Sequence, residues 1–116
     1  MLALSNKGLH EKGRKEIITH IVLLQPKPEV TEEQLATALA HVCDLQQVVP
    51  GIFSVQAAKN LNASGDKNKG YTHGFVMQFV DSEALSAYAP HPAHQTVGAE
   101  LRSVSQSIID FDIPNL

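Results

Sequence analysis

Residues 71–80 read YTHGFVMQFV, and this short stretch decides the fold. Side chains of a β-strand point alternately to opposite faces, so the bulky residues of the stretch fall on one face. The opposite face still carries Val76 and Val80, which indicates a strand with apolar surface on both sides. Residues 17–25, IITHIVLLQ, are almost all aliphatic or β-branched, as is typical of a central strand. The bulky face of the first stretch consists of Tyr71, His73, Phe75, Met77 and Phe79.

A helix is predicted after the 17–25 strand. Thr31 and Gln34 have the spacing of a capping box, in which each side chain bonds to the backbone N–H of the other residue. Apolar residues then recur at helical spacing and form a single stripe. The pattern predicts a helix over residues 32–47, with a stripe that consists of Leu35, Leu39, Val42 and Leu45.

The remaining segments are predicted as a strand, two helices and a last strand. Residues 52–59 read as a strand with Phe53 on its apolar face. Capping residues begin a short helix that ends at Tyr88, and Pro92 suits the first turn of a further helix. Residues 108–113 alternate between apolar and polar side chains as the last strand.

The order of elements is therefore β-α-β-β-α-β. It predicts an α+β, ferredoxin-like fold: a mostly antiparallel four-stranded sheet with its helices on one face. The other face is apolar, and a second copy of the chain is the economical cover because two-fold dimers are the commonest assemblies. We therefore expect a homodimer that closes into a dimeric α+β barrel through the open sheet faces. Residues 17–116 form the predicted domain, and the polar residues 1–16 form an N-terminal extension.

Composition narrows the classes of partner and location. The chain has 116 residues, which fits one domain, and a formal charge of -3 without a basic stripe or tryptophan, so nucleic acid is not expected as a partner. No apolar run approaches the roughly 20 residues that a membrane span requires, so no membrane association is expected. Cys43 is the single cysteine, and residues 1–16 do not have the pattern of a signal peptide, so the cytoplasm is the default location.

Two histidines lie on the predicted central strands. His20 interrupts an apolar strand, and His73 shares its strand face with aromatic residues. Imidazole is the usual acid–base group near neutral pH, so each is a candidate for catalysis. The alternative is that each ring is hydrogen-bonded for structural reasons, as buried polar groups normally are. Since the two strands are neighbours in this topology, His20 and His73 are expected to face one cavity between the sheet and the helices.

Three further candidates lie nearer the end of the chain. His94 is a candidate general base, with Asp112 across from its helix to orient the imidazole. The tip of Tyr88 is suited to donate a hydrogen bond to a carbonyl oxygen, unless the ring is ordinary core. His91 and His94 have the spacing of a metal pair, but no nearby residue completes a zinc site, and His91 also suits the cap of its helix. Neither a metal nor a cofactor is expected.

Short motifs give the chain a resemblance to a known family. THIVL at residues 19–23, GYTH at 70–73, HPAH at 91–94 and DFD at 110–112 resemble the stress-responsive A/B barrel (Dabb) domain family. The resemblance extends over residues 17–113, and the pair of GYTH and HPAH is its most specific part. It implies the same dimeric α+β barrel that the pattern of elements predicts.

The resemblance also implies two kinds of function. The family includes plant stress proteins and a polyketide cyclase, which closes a linear chain by an aldol condensation without a cofactor. The position that corresponds to a second pocket tyrosine of the cyclase is Val42 in this chain. The residues that correspond by motif to the functional residues of the cyclase are His20, His73, His94, Tyr88 and Asp112.

Two functions are consistent with these residues. The first is a stress-related dimer with a pocket between sheet and helices that binds a small, largely apolar or aromatic molecule. The second is a cofactor-free acid–base enzyme, of the polyketide cyclase type or a related lyase or isomerase. In the enzyme, His94 removes a proton, and Tyr88 with His73 or His20 stabilises the oxyanion. The enzyme requires a cavity that reaches His94 and Tyr88, whereas a purely structural role predicts close packing without a void.

Overall fold

Four strands and three α-helices make up the described part of the computed structural model, which covers residues 16–114. Residues 1–15 of the predicted extension, and the last two residues of the chain, lie outside the described residues. The order confirms the predicted β-α-β-β-α-β arrangement, with the second helical segment divided in two. None of the helices within the described range is long and apolar enough to cross a membrane. The elements are β1 (Ile18–Pro26), α1 (Glu32–Asp44), β2 (Ile52–Lys59), β3 (His73–Phe79), α2 (Ser82–Tyr88), α3 (Pro92–Val104) and β4 (Ser105–Pro114).

The strands form one antiparallel sheet in the order β2-β3-β1-β4, which confirms the α+β, ferredoxin-like fold. The register places His20 of β1 opposite Met77 of β3 and opposite Asp112 of β4. Leu24, four residues further along β1, lies opposite His73. Because directly paired residues share a face, all of these side chains point to the side that the helices cover.

Helix α1 begins as the sequence predicts. Thr31 Oγ1 accepts a hydrogen bond from the Gln34 N–H at 3.1 Å, and Gln34 Oε1 accepts one from the Thr31 N–H at 2.8 Å, which completes the capping box. The α-helix ends at Asp44, and a 3₁₀ turn continues the helical segment to Gln47. The whole predicted stripe is buried in the core: Leu35, Leu39, Val42 and Leu45.

Three strands differ from the prediction by two or more residues or in the face of a side chain. β3 begins at His73, two residues after its predicted start, and the Tyr71 hydroxyl group before it lies 2.7 Å from that of Ser107. β4 begins at Ser105, three residues before the predicted start, because its pairing with β1 continues as far as Pro26. In β2, the register shifts between Ile52 and Ser54, and the bulge turns Phe53 outward, where it is 42% exposed. The prediction that Phe53 lies on the apolar face of its strand is therefore wrong.

The sheet face opposite the helices is apolar and uncovered in the single chain. Phe111 of β4 is 61% exposed, and four aliphatic side chains around it are each 40–43% exposed. A contiguous apolar surface of this kind marks an interaction site. The four aliphatic residues are Leu23, Val76, Ile109 and Ile113.

Candidate functional site

A cavity of about 400 Å³ lies between the sheet and the helices α2 and α3. Six of its fourteen lining residues have polar or charged side chains, and the rest of the wall is apolar. An apolar wall with polar groups at defined positions is the usual composition of a small-molecule site. The cavity brings together His20, Tyr88, His94 and Asp112, which are four of the five residues that the sequence predicts for the site. The apolar part of its wall includes Val22, Phe75, Leu85, Val97, Leu101 and Ile108.

His20 and Asp112 form a hydrogen-bonded pair on the helix-covered face of the sheet. His20 Nδ1 lies 2.5 Å from Asp112 Oδ1, and the histidine is 8% exposed. A carboxylate only accepts, so Nδ1 carries the hydrogen and Nε2 is the ring nitrogen left for other partners. The expectation that Asp112 orients His94 is therefore wrong. Asp112 is the cross-strand neighbour of His20, whereas His94 lies on α3.

Tyr88 and His94 face each other across the junction of α2 and α3, with ring centroids 4.2 Å apart. The junction is short because Tyr88 ends α2 and His91 caps α3, accepting a hydrogen bond from the Ala93 N–H at 3.0 Å. His94 Nδ1 lies 2.9 Å from the carbonyl oxygen of Ala89. Because a carbonyl oxygen only accepts, Nδ1 must carry the hydrogen, which leaves a lone pair on Nε2 of the neutral ring.

The Tyr88 ring is buried, but its hydroxyl group remains available. The residue is 5% exposed, and its ring centroid lies 5.9 Å from that of His20 and 5.1 Å from that of Phe79. Burial raises the pKa of Tyr88 to about 12, so the hydroxyl group is protonated at neutral pH. No hydrogen bond joins this hydroxyl group to another residue of the described part of the chain.

His73 lies outside this cavity. It lines a separate pocket of about 340 Å³ between α1 and β2, where its Nε2 is 3.1 Å from Glu32 Oε1. Lys59 Nζ lies 2.9 Å from Glu32 Oε2, and the hydrogen bonds from Lys59 and His73 lower the pKa of Glu32. The expectation that His20 and His73 face one cavity is wrong, because the register separates them along the sheet.

The sequence alone did not identify Gly98, Arg102 and Asp110 as residues of the cavity. One signal was available, since His94, Gly98 and Arg102 are spaced by four residues and therefore share a helical face. Val42, at which the resemblance implies a second pocket tyrosine, is fully buried in the core and does not line the cavity. Among the residues that the structure describes, no three His, Cys, Asp or Glu side chains are grouped to hold a metal ion.

Known proteins resemble this chain in sequence and in fold. Olivetolic acid cyclase from Cannabis sativa is 30% identical over 95 residues, which cover 82% of this chain and 93% of the cyclase. A solved structure from Jannaschia sp. CCS1, described as a dimeric ferredoxin-like protein of unknown function, is 30% identical with a TM-score of 0.73, over 84% of this chain and 97% of that one. A hydroxynitrile lyase from Passiflora edulis has a TM-score of 0.79 over 89% of this chain and 96% of its own, and at 20% identity it shows the fold alone.

The family match is nearly as long as the described part of the chain. Residues 18–115 match the family described as the stress-responsive A/B barrel domain. This range includes every strand and helix of the described residues and all the residues that line the cavity. On this match, and on the identity to the cyclase, the chain belongs to the stress-responsive A/B barrel (Dabb) family.

Proposed function

We propose that this chain is a cofactor-free acid–base enzyme that acts on a small, largely apolar carbonyl compound. The observation that carries the proposal is the convergence of Tyr88, His94 and the His20–Asp112 pair on one cavity. A purely structural role would leave these side chains packed together without a void. The cavity of about 400 Å³ instead has the size of a small-molecule site.

His94 supplies the base in the proposed reaction. Its Nε2 accepts a proton from the carbon next to the carbonyl group, and the electron pair of the broken C–H bond moves onto the carbonyl oxygen as an enolate forms. Tyr88 donates a hydrogen bond to that oxygen from its hydroxyl group, which is protonated at neutral pH. His20 points Nε2 away from Asp112 and donates a second hydrogen bond from that nitrogen when the ring carries both hydrogens, while Asp112 holds the ring in place from the other side.

The enolate then has two productive outcomes in such a cavity. It regains the proton from His94 at another atom, which is an isomerisation. Alternatively, its carbon attacks a second carbonyl group of the same molecule, and the alkoxide that forms takes the proton from His94, which is an aldol cyclisation. The likeness to olivetolic acid cyclase favours the cyclisation. The resemblance implies a second pocket tyrosine at the position of Val42, and valine brings no hydroxyl group to the cavity from there, so we propose that the substrate differs from that of the cyclase.

We also propose that the chain functions as a homodimer through its open sheet face. The exposed apolar side chains around Phe111 give this face the character of an interface. The description of the Jannaschia relative as dimeric supports the same assembly. Pairing of the two faces would brace β1 and β4, which carry His20 and Asp112 on their opposite side.

Solvent deuterium exchange tests the proton transfer without knowledge of the natural substrate. The probes are acetophenone, phenylacetone and β-benzoylpropionate, and NMR measures how fast the hydrogens next to the carbonyl group exchange. We expect the wild type to accelerate exchange of at least one probe, and His94→Ala and Tyr88→Phe to lose about a hundredfold of that rate. His41→Gln is the matched control, because His41 pairs with Glu100 outside the cavity and its loss should not change the rate.

The same experiment separates an enzyme from a carrier. If the probes bind but the wild type exchanges no faster than His94→Ala, the cavity binds ligands without catalysis. The acid–base proposal would then be wrong, and the stress-related binding protein would be the better account.

A further inference from the structure

Arg102 extends its guanidinium group over Gly98 at the wall of the cavity. The point at which a Cβ atom of residue 98 would stand is 3.3 Å from Arg102 Nη1 and 3.9 Å from His94 Nε2. The guanidinium group and the proposed base therefore lie side by side against Gly98, which is buried. Because residue 98 has no side chain, the guanidinium group lies close to α3 at the cavity wall.

The Arg102 side chain is exposed and follows the usual direction of helical side chains, back toward the start of α3. This direction brings its Nη1 one turn back from the end of the helix, to the wall of the cavity. Within residues 16–114, no carboxylate forms an ion pair with Arg102.

From this placement we propose that Arg102 binds a carboxylate group of the substrate, so that the preferred substrates are small keto acids rather than neutral ketones. This inference rests on the function proposed above. A guanidinium group presents two parallel N–H donors that match the two oxygens of a carboxylate. With the carboxylate held by Arg102, the carbon next to the carbonyl group lies beside His94, and the apolar remainder lies against the inner wall.

Two acidic side chains of β4 restrict where the carboxylate can bind. Both line the cavity and are exposed, but the charge of Asp112 is paired with His20, whereas Asp110 forms no ion pair within residues 16–114. The negative charge of Asp110 repels a substrate carboxylate from the β4 wall, and Arg102 attracts it to the α3 wall. The two charges thus orient a keto acid in the cavity. Loss of the Arg102 charge should weaken binding of the keto acid, and loss of the Asp110 charge should strengthen it.

Paired ligands test this assignment. β-Benzoylpropionate and its amide have nearly the same shape and differ in the negative charge, and isothermal titration calorimetry gives the Kd of each. We expect the wild type to prefer the acid by about tenfold. Arg102→Gln should weaken binding of the acid alone, and Asp110→Asn should strengthen it. Lys67→Gln, which removes a positive charge from the exposed connection between β2 and β3, should leave both affinities unchanged.

Two results would contradict the role of Arg102 without contradicting the proposed enzyme. If the acid has no advantage over the amide, or if Arg102→Gln weakens both ligands equally, Arg102 does not recognise a carboxylate. The proposed enzyme survives that result as long as the amide binds and exchanges its hydrogens. If neither compound binds to the wild type, this inference fails together with the proposed function.

Discussion

Replacement of Gly98 by alanine should stabilise the protein and impair its cavity at the same time. Replacement of glycine by alanine within a helix raises the free energy of unfolding by roughly 0.5–1 kcal/mol. The new Cβ atom would stand 3.3 Å from Arg102 Nη1 and 3.9 Å from His94 Nε2, and the closer contact is the end of a flexible side chain that can shift. The gain should therefore persist and raise Tm by roughly 2–6 °C.

Ligand binding should change in the opposite direction. The added methyl group lies against Arg102 Nη1 and displaces the guanidinium group from the cavity wall. We expect the affinity for β-benzoylpropionate to fall by about tenfold, as a misplaced binding group commonly causes. Thermal unfolding followed by circular dichroism and calorimetric titration measure the two effects. Thr96→Ala on the exposed side of α3 is the control, because it also raises helix propensity but does not touch the cavity.

Two results would refute this reasoning. A loss of stability in Gly98→Ala would mean that the helix cannot accept a Cβ atom at this position. An affinity equal to that of the wild type, in a variant with raised Tm, would mean that the position of the Arg102 guanidinium group does not affect ligand binding. In contrast, Thr96→Ala should raise Tm and leave the affinity unchanged.

The other predictions concern single side chains. Burial raises the pKa of Tyr88 from 10.0 to about 12, so the folded state holds this proton more tightly than the unfolded state does. The free energy of unfolding should therefore fall between pH 10 and pH 12, and urea titrations should show a less steep fall in Tyr88→Phe. The pKa of Glu32 is lowered, so stability should decline as the pH falls below 4.5, and Glu32→Gln should lose part of that decline in acid titrations. Asp112→Asn retains an acceptor for His20 but removes the charge, and deuterium exchange should slow by about tenfold while Tm changes little, since the Asp112 side chain is 44% exposed. Phe111→Glu should convert a dimer of about twice 12.6 kDa into a monomer in sedimentation equilibrium, and an unchanged mass would place the interface elsewhere.

Most of the fold follows from local patterns in the sequence. The capping box at Thr31 and Gln34 fixes the start of α1, and alternation in residues 71–80 assigns the two faces of β3, because both depend only on near neighbours. The outward turn of Phe53 depends on a bulge in the pairing of β2 with β3. A bulge is a property of two strands together, and the sequence of one strand does not reveal it.

The sequence identifies most residues of the site but not the partners with which they form contacts. His20, Tyr88, His94 and Asp112 were identified by type and motif, and the structure brings them to one cavity. Their partners depend on register and on backbone atoms. Asp112 lies opposite His20 on the neighbouring strand, and the backbone carbonyl oxygen of Ala89 fixes the ring of His94. The same register places His73 in a different pocket. Neither a register nor a carbonyl position is visible in the order of side chains.

The most direct test of the account is whether one molecule contacts His20 and His94 together. Nitrogen NMR of the six histidine side chains reports the tautomer of each ring and its response to added β-benzoylpropionate. We predict the Nδ1–H tautomer for His94. The signals of His20 and His94 should shift with the same Kd, while the signal of His41 should stay unchanged. If His94 carries its hydrogen on Nε2, or if His20 does not respond to a ligand that shifts His94, the shared acid–base site is contradicted.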